Sequence, residues 1–320
     1  MATAYWIGSA DADVNNNTNW EDGSGTSGRP GSGDDVVITP QASYGMTSNL
    51  NGITAVDINS IHFLPGFTKD IGLTTGAVAD AYLELNLDNT VGTKPNRFVY
   101  EADSTLAKIH LVDCEQYTSV QVLNTGDGSA GQPALQLMST AAATHTAGYT
   151  TILGGEVGLG WNNQVYETDL LTVGSKSGGN PIVWIEPTCE STASAAIPVV
   201  TVNSGIVYLD APSVTVNQYG GTIYWRNGGI TTVNAYGGEF VCDNPSSASA
   251  ADILATLNLR GGHIRNDVNP TAKTVTNANF TSGRVDDPAG LMTWTHPIAY
   301  QQAYDAVQAS FGPARSVTIA

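Results

Sequence analysis

The sequence predicts an all-β protein, a right-handed parallel β-helix with an N-terminal cap and a short C-terminal helix or tail. Three observations carry this expectation. An Asn-turn-Gly phrase recurs five times between Ile197 and Val285, a short β-prone run follows each phrase, and no helical periodicity is sustained before the last two dozen residues.

The phrases are Val202-Asn203-Ser204-Gly205, Val216-Asn217-Gln218-Tyr219-Gly220-Gly221, Val233-Asn234-Ala235-Tyr236-Gly237-Gly238, Leu257-Asn258-Leu259-Arg260-Gly261-Gly262 and Ala278-Asn279-Phe280-Thr281-Ser282-Gly283. From Asn203 the steps to Asn217, Asn234, Asn258 and Asn279 are 14, 17, 24 and 21 residues. Runs such as Ile206-Val207-Tyr208-Leu209 and Thr222-Ile223-Tyr224-Trp225 are too short to bury a face alone, but stacking each coil on the last satisfies them. Asn tolerates left-handed backbone angles at such a bend, and Gly accepts them without steric cost. Asn203, Asn217, Asn234, Asn258 and Asn279 are therefore expected to form a scaffold ladder of stacked amides. The competing reading is a set of unrelated turns in an antiparallel β protein; the recurring Asn-to-Gly offset in four of the five phrases speaks against it.

Taken in order, residues 1–45 read as a cap or attachment segment, 46–296 as the β-helix and 297–320 as a C-terminal helix and tail. Ala55 to Phe63 and Ala81 to Leu87 alternate with period two, the sign of strands with one buried face. At about 16 to 24 residues per coil the middle segment would hold on the order of ten to twelve rungs. Inserts rich in Ala, Ser and Thr at Thr140 to Thr146 and Thr188 to Ala196, with a third at Asn244 to Ala251, read as projecting loops. Near the end, Tyr300, Tyr304, Val307 and Phe311 fall at i, i+4, i+7 and i+11 before Gly312-Pro313, the pattern of a short amphipathic helix that caps the fold or packs on neighbouring subunits.

The formal net charge is −17, from 12 Lys+Arg against 29 Asp+Glu, which disfavours nucleic-acid phosphates and anionic membrane surfaces as partners. Cys114, Cys189 and Cys242 have no metal-binding or disulfide spacing and read as buried small hydrophobes. The first residues show no export signal, so synthesis in a cytoplasm is expected. Alternate oxygen ligands at Asp11 and Asp13 offer a weak calcium possibility, although the full calcium-loop pattern is missing. No cofactor is otherwise expected.

The opening holds Tyr5-Trp6-Ile7-Gly8, Asn19-Trp20 and Pro30-Gly31-Ser32-Gly33-Asp34-Asp35-Val36-Val37-Ile38. It resembles the start of many β-helical surface proteins, including phage virion proteins. Trp6, Trp20, Asp34 and Asp35 are the candidate cap or attachment residues, because an open coil end needs covering. With the coil pattern, the resemblance to phage capsid decoration (cement) and fibre-type proteins implies a structural homotrimer on a virion that contacts the major capsid protein or another virion protein.

A non-enzymatic role is expected. The consecutive-coil motifs of pectin hydrolases are missing, Gly262-His263-Ile264-Arg265 being their nearest echo. The pairs Asp34-Asp35 and Asp286-Asp287 lie at opposite ends of the expected solenoid, tens of ångströms apart at about 4.8 Å per rung. Tyr219 and Tyr236 occupy one offset in adjacent repeats, either covering a corner or contacting a sugar or a partner protein. With Tyr300, Tyr304 and Phe311 they are the candidate partner contacts. A polysaccharide-binding or polysaccharide-cleaving β-helix and a surface adhesin are the alternatives.

Overall fold

Period-two alternation becomes an all-β architecture dominated by parallel pairing between strands distant in sequence. The computed structural model describes residues 2–74, 81–87, 96–114, 118–129, 131–140, 147–175, 177, 180–191, 194–243, 252–300 and 307–311. Two compact units are present, residues 1–169 with 191–193 and residues 170–190 with 194–320.

In the first unit, Thr3–Trp6, Asp35–Ile38, Ser60–Phe63, Arg97–Tyr100, Ser119–Val122 and Ala147–Ile152 pair in parallel in that order. The register puts Trp6, Ile38, Phe63, Tyr100, Val122 and Ile152 in one fully buried column. A second parallel ladder joins Leu83–Leu87, Ala107–Cys114, Leu135–Ser139 and Glu156–Leu159. Parallel pairing thus begins at Thr3–Trp6, well before residue 46. The other edge of that strand is taken by Trp20–Asp22, which runs antiparallel to it and sets Trp6 opposite Trp20.

In the second unit, one ladder runs from the end of Tyr166–Val173 through Ile197–Val202, Ser213–Gln218, Ile230–Ala235, Asp252–Arg265 and Lys273–Asp287. Another joins Ile182–Ile185, Ile206–Leu209, Thr222–Trp225 and Glu239–Cys242 to the later halves of the same two long strands. Leu171, Val200, Val216, Val233 and Leu257 form one buried column, and Val183, Val207, Ile223, Phe240, Ile264 and Val285 another. Each such side chain contributes about 1.5–3 kcal/mol by leaving water. Cys114, Cys189 and Cys242 are buried.

The glycine corners explain the repeated phrase. Gly221 and Gly238 have φ of +69° and +75°, and an added Cβ would stand 2.5 Å from the Gly205 carbonyl oxygen and 2.4 Å from that of Gly221, respectively. Only glycine permits both the backbone angle and the approach.

The expected C-terminal helix is not formed by the described residues. Ala299–Tyr300 and Val307–Phe311 are strands, both parallel to Lys273–Asp287. Val307 and Phe311 satisfy period two as well as the helical stripe, and the edge of a long strand supplies backbone partners along the whole run where a short helix leaves its end groups unpaired. Tyr304 and the inserted segments 141–146 and 244–251 lie outside the described residues.

Trp6 and Trp20 are fully buried and meet edge to face, with ring centroids 5.0 Å apart. Replacing Trp20 by Ala is expected to destabilise the first unit by about 3–5 kcal/mol in urea unfolding. A loss below about 1 kcal/mol would show that the ring pair does not hold this end together.

Candidate functional site

The candidate attachment residues are tied into their own segment. Trp6 Nε1 donates to the Tyr44 carbonyl at 3.2 Å and Trp20 Nε1 to that of Val14 at 2.9 Å. Asp34 accepts from the backbone N–H of Ala2 at 3.1 Å and of Gly31 at 2.9 Å. Asp35 accepts from Asn59 Nδ2 at 2.5 Å and Ser60 Oγ at 2.6 Å, linking neighbouring strands.

The acidic residues considered for calcium are similarly engaged. Asp11 accepts from the Asp13 N–H at 3.0 Å, Asn19 Nδ2 at 2.6 Å and Asn16 Nδ2 at 3.0 Å, and these bonds hold its carboxyl below the usual range. Asp13 accepts from the Asn15 N–H and from Asn49 Nδ2, both at 2.7 Å. Among the described residues, no group of three or more His, Cys, Asp or Glu side chains converges as a metal site.

Four of the five ladder asparagines come together. Asn234 Nδ2 donates to Asn217 Oδ1, Asn258 Nδ2 to Asn234 Oδ1 and Asn279 Nδ2 to Asn258 Oδ1, each at 2.9 Å. Asn203 stands outside this ladder, because the register opposite Asn217 is held by Thr201. Its phrase has Asn only two residues before Gly205, so stacking of the Gly205 and Gly221 corners displaces it by one outward position. Asn203 Nδ2 instead donates to the Gly174 carbonyl at 3.3 Å.

Tyr219 and Tyr236 are 47 % and 37 % exposed, and their rings stack 4.8 Å apart within 4° of parallel. The Arg260 guanidinium lies 5.5 Å from the Tyr236 ring centre. The two facing ring surfaces are consumed by each other, which leaves the outer ring faces, the edges and the hydroxyls for any further contact. Tyr300 lies in Ala299–Tyr300 and Phe311 in Val307–Phe311.

Other outward residues gather in columns that the sequence reading does not assemble. Trp184, Tyr208 and Tyr224 share one register column, with ring centres 5.6 and 5.1 Å apart; aligning the third residue of each four-residue run would have revealed it. Farther along this ladder, His263 Nε2 lies 2.9 Å from Asp286 Oδ2 and Arg265 Nη1 lies 3.1 Å from Glu239 Oε2. Burial pushes the Asp286 carboxyl upward, but bonds from Arg284 and His263 outweigh it and leave the group below its ordinary range. Asp287, in what reads from sequence as an ordinary turn, is fully buried and accepts from Asn266 Nδ2 and from the N–H groups of Leu291 and Met292 at 3.0 Å each. At another point Arg226 pairs through two nitrogens with Asp210, whose carboxyl is raised by burial against that pairing. Lys273 Nζ rests 4.2 Å from the Trp225 ring centre. These groups satisfy one another across neighbouring strands.

In the first unit, Thr47, Ser48, Asn49, Leu50, Asn51, Leu73 and Glu84 line a cleft of about 410 Å³. Behind it, Glu84 accepts from Thr54 Oγ1 at 2.9 Å and lies 3.8 Å from His110 Nδ1. Burial lowers the His110 imidazole from its ordinary 6.5, against the raising influence of Glu84. With this arrangement described, comparison with known proteins gives no match to a family model, a curated protein or a solved structure.

Two measurements follow from the geometry. Asn234→Ala removes a donor and an acceptor from the middle of the amide ladder and is expected to cost about 1–3 kcal/mol, more than Asn279→Ala, which removes only the described donor to Asn258. Equal urea midpoints for the two variants would contradict cooperative stacking. For His110 the depressed native value means that the unfolded chain binds its proton first as pH falls. Stability is therefore complete above 6.5 and lost below it, down to the native value. Urea titrations from about pH 7.5 to 5.5 are expected to show a shallower decline in His110→Gln than in the parent. Identical slopes would remove this coupling.

Proposed function

We propose that the chain is a structural virion protein, a decoration protein that stabilises a phage head as a homotrimer. Its coils are those of a right-handed parallel β-helix; residues 1–45 close one end and attach to the major capsid protein or another virion protein. The observation that carries this reading is that polar side chains are spent on one another across neighbouring strands. The Asn217–Asn234–Asn258–Asn279 ladder, the buried Asp287 and the Asp210–Arg226 pair all bind neighbouring coils, as a load-resisting scaffold requires. The opening motif Trp6, Trp20, Asp34 and Asp35, with its resemblance to phage β-helix proteins, supports the virion assignment. The strong acidity suits a basic protein surface better than nucleic acid.

Light scattering after size exclusion at micromolar concentration, followed by sedimentation with undecorated phage heads, tests this function. The expected result is a trimer of about three times the 33.3 kDa chain mass that co-sediments with heads and raises their rupture temperature. A monomer without affinity for capsids would overturn the assignment.

A further inference from the structure

We infer that the cleft between Thr47–Asn51, Leu73 and Glu84 is a binding site for a neutral sugar of about one pyranose unit. The observations lie entirely within the first unit and do not rest on the virion role.

A cleft of about 410 Å³ falls in the size range of small-ligand sites. Its lining alternates hydroxyls of Thr47 and Ser48, amides of Asn49 and Asn51 and the carboxylate of Glu84 around the apolar Leu50 and Leu73. Hydroxyls and the Asn51 amide that donate and accept, with a carboxylate that accepts, beside a small apolar surface, match the alternation of hydroxyl and C–H faces on a pyranose. A carboxylate accepts two hydrogen bonds from a vicinal diol. An anionic ligand is disfavoured by Glu84, and an ammonium ligand would find, among the described lining residues, one carboxylate already shared with Thr54 and no aromatic ring.

The wall is organised in advance. Asn49 adopts φ +48° and its carbonyl accepts from the Gly52 N–H at 2.8 Å, making a tight turn. Asn49 Nδ2 is pinned by Asp13 at 2.7 Å, and the Gly52 carbonyl is held by Arg29 Nη1 at 3.1 Å. A Cβ at Gly52 would approach Asn15 N to 2.9 Å, so this turn lies directly against the N-terminal segment. From the other side, the Glu84 N–H donates to the Leu50 carbonyl at 3.0 Å. Asp13, which from sequence suggests a cation ligand, holds the rim of a polar cleft. A site ordered before binding avoids the cost of ordering it afterward.

Saturation-transfer NMR with the full chain and a panel of neutral monosaccharides and disaccharides, with amino sugars and uronic acids as comparators, tests the inference. Saturable binding of at least one neutral sugar is expected in the millimolar range. Glu84→Gln is expected to weaken it at least about tenfold, since it replaces a charged acceptor. Should that variant unfold, Asn51→Trp at an exposed rim position fills the cleft and is expected to abolish binding with an unchanged circular dichroism spectrum. Val268→Ala, at an exposed position in the other unit, is expected to bind as the parent does. Absence of saturable binding up to about 50 mM, binding of amino sugars alone, or loss in Val268→Ala with retention in both cleft variants would each overturn the site. A failed trimer or capsid assay leaves these outcomes intact.

Discussion

Backbone meets backbone at the glycine corners of the second unit, and this close approach governs what surrounds it. Because a side chain at Gly221 or Gly238 would strike the carbonyl of the preceding corner glycine, the strands on both sides enter their ladders at a set phase. Phase determines facing: one residue of slip would send every apolar side chain of a column to the outside. The buried columns through Val216 and Ile223 are consequences of corner stacking as much as of hydrophobic burial.

The amide ladder depends on the same constraint. Parallel strands about 4.8 Å apart place identical residues within reach of each other, so Asn217, Asn234, Asn258 and Asn279 become mutual donors and acceptors. Asn203 has the same residue type and a neighbouring position, yet its shorter distance to glycine puts it out of the chain of amides. Register therefore outranks residue identity. The stacked Tyr219 and Tyr236 obey this rule too: the repeat distance turns their faces toward one another and alters what they can bind.

The N-terminal segment is bound into the first unit by aromatic and polar contacts. Trp6 and Trp20 close around the first parallel strand, with both indole N–H groups satisfied by backbone carbonyls. Asp11, Asp13, Asn16 and Asn19 form a local hydrogen-bond web, and Asp13 extends it to Asn49. The web ties the acidic and amide side chains of this stretch to one another, and the neighbouring cleft is lined by Thr47, Ser48, Asn49, Asn51 and Glu84.

The sequence by itself determined the all-β class, the strand-corner-strand unit, the buried face of each short run and four members of the amide ladder. These follow from period-two alternation and from Asn and Gly at nearly constant offsets, both local properties of the chain. Only the tertiary structure decided the exclusion of Asn203, the strand state of Val307–Phe311 and the cleft that joins Asn49 to Glu84. Each depends on which strand lies beside which. Val307 and Phe311 fit a helix stripe and a strand equally well until an adjacent edge offers hydrogen bonds. Residues 47–51 and 84 approach one another only after parallel pairing has folded the intervening chain, so their shared chemistry has no local signature to read.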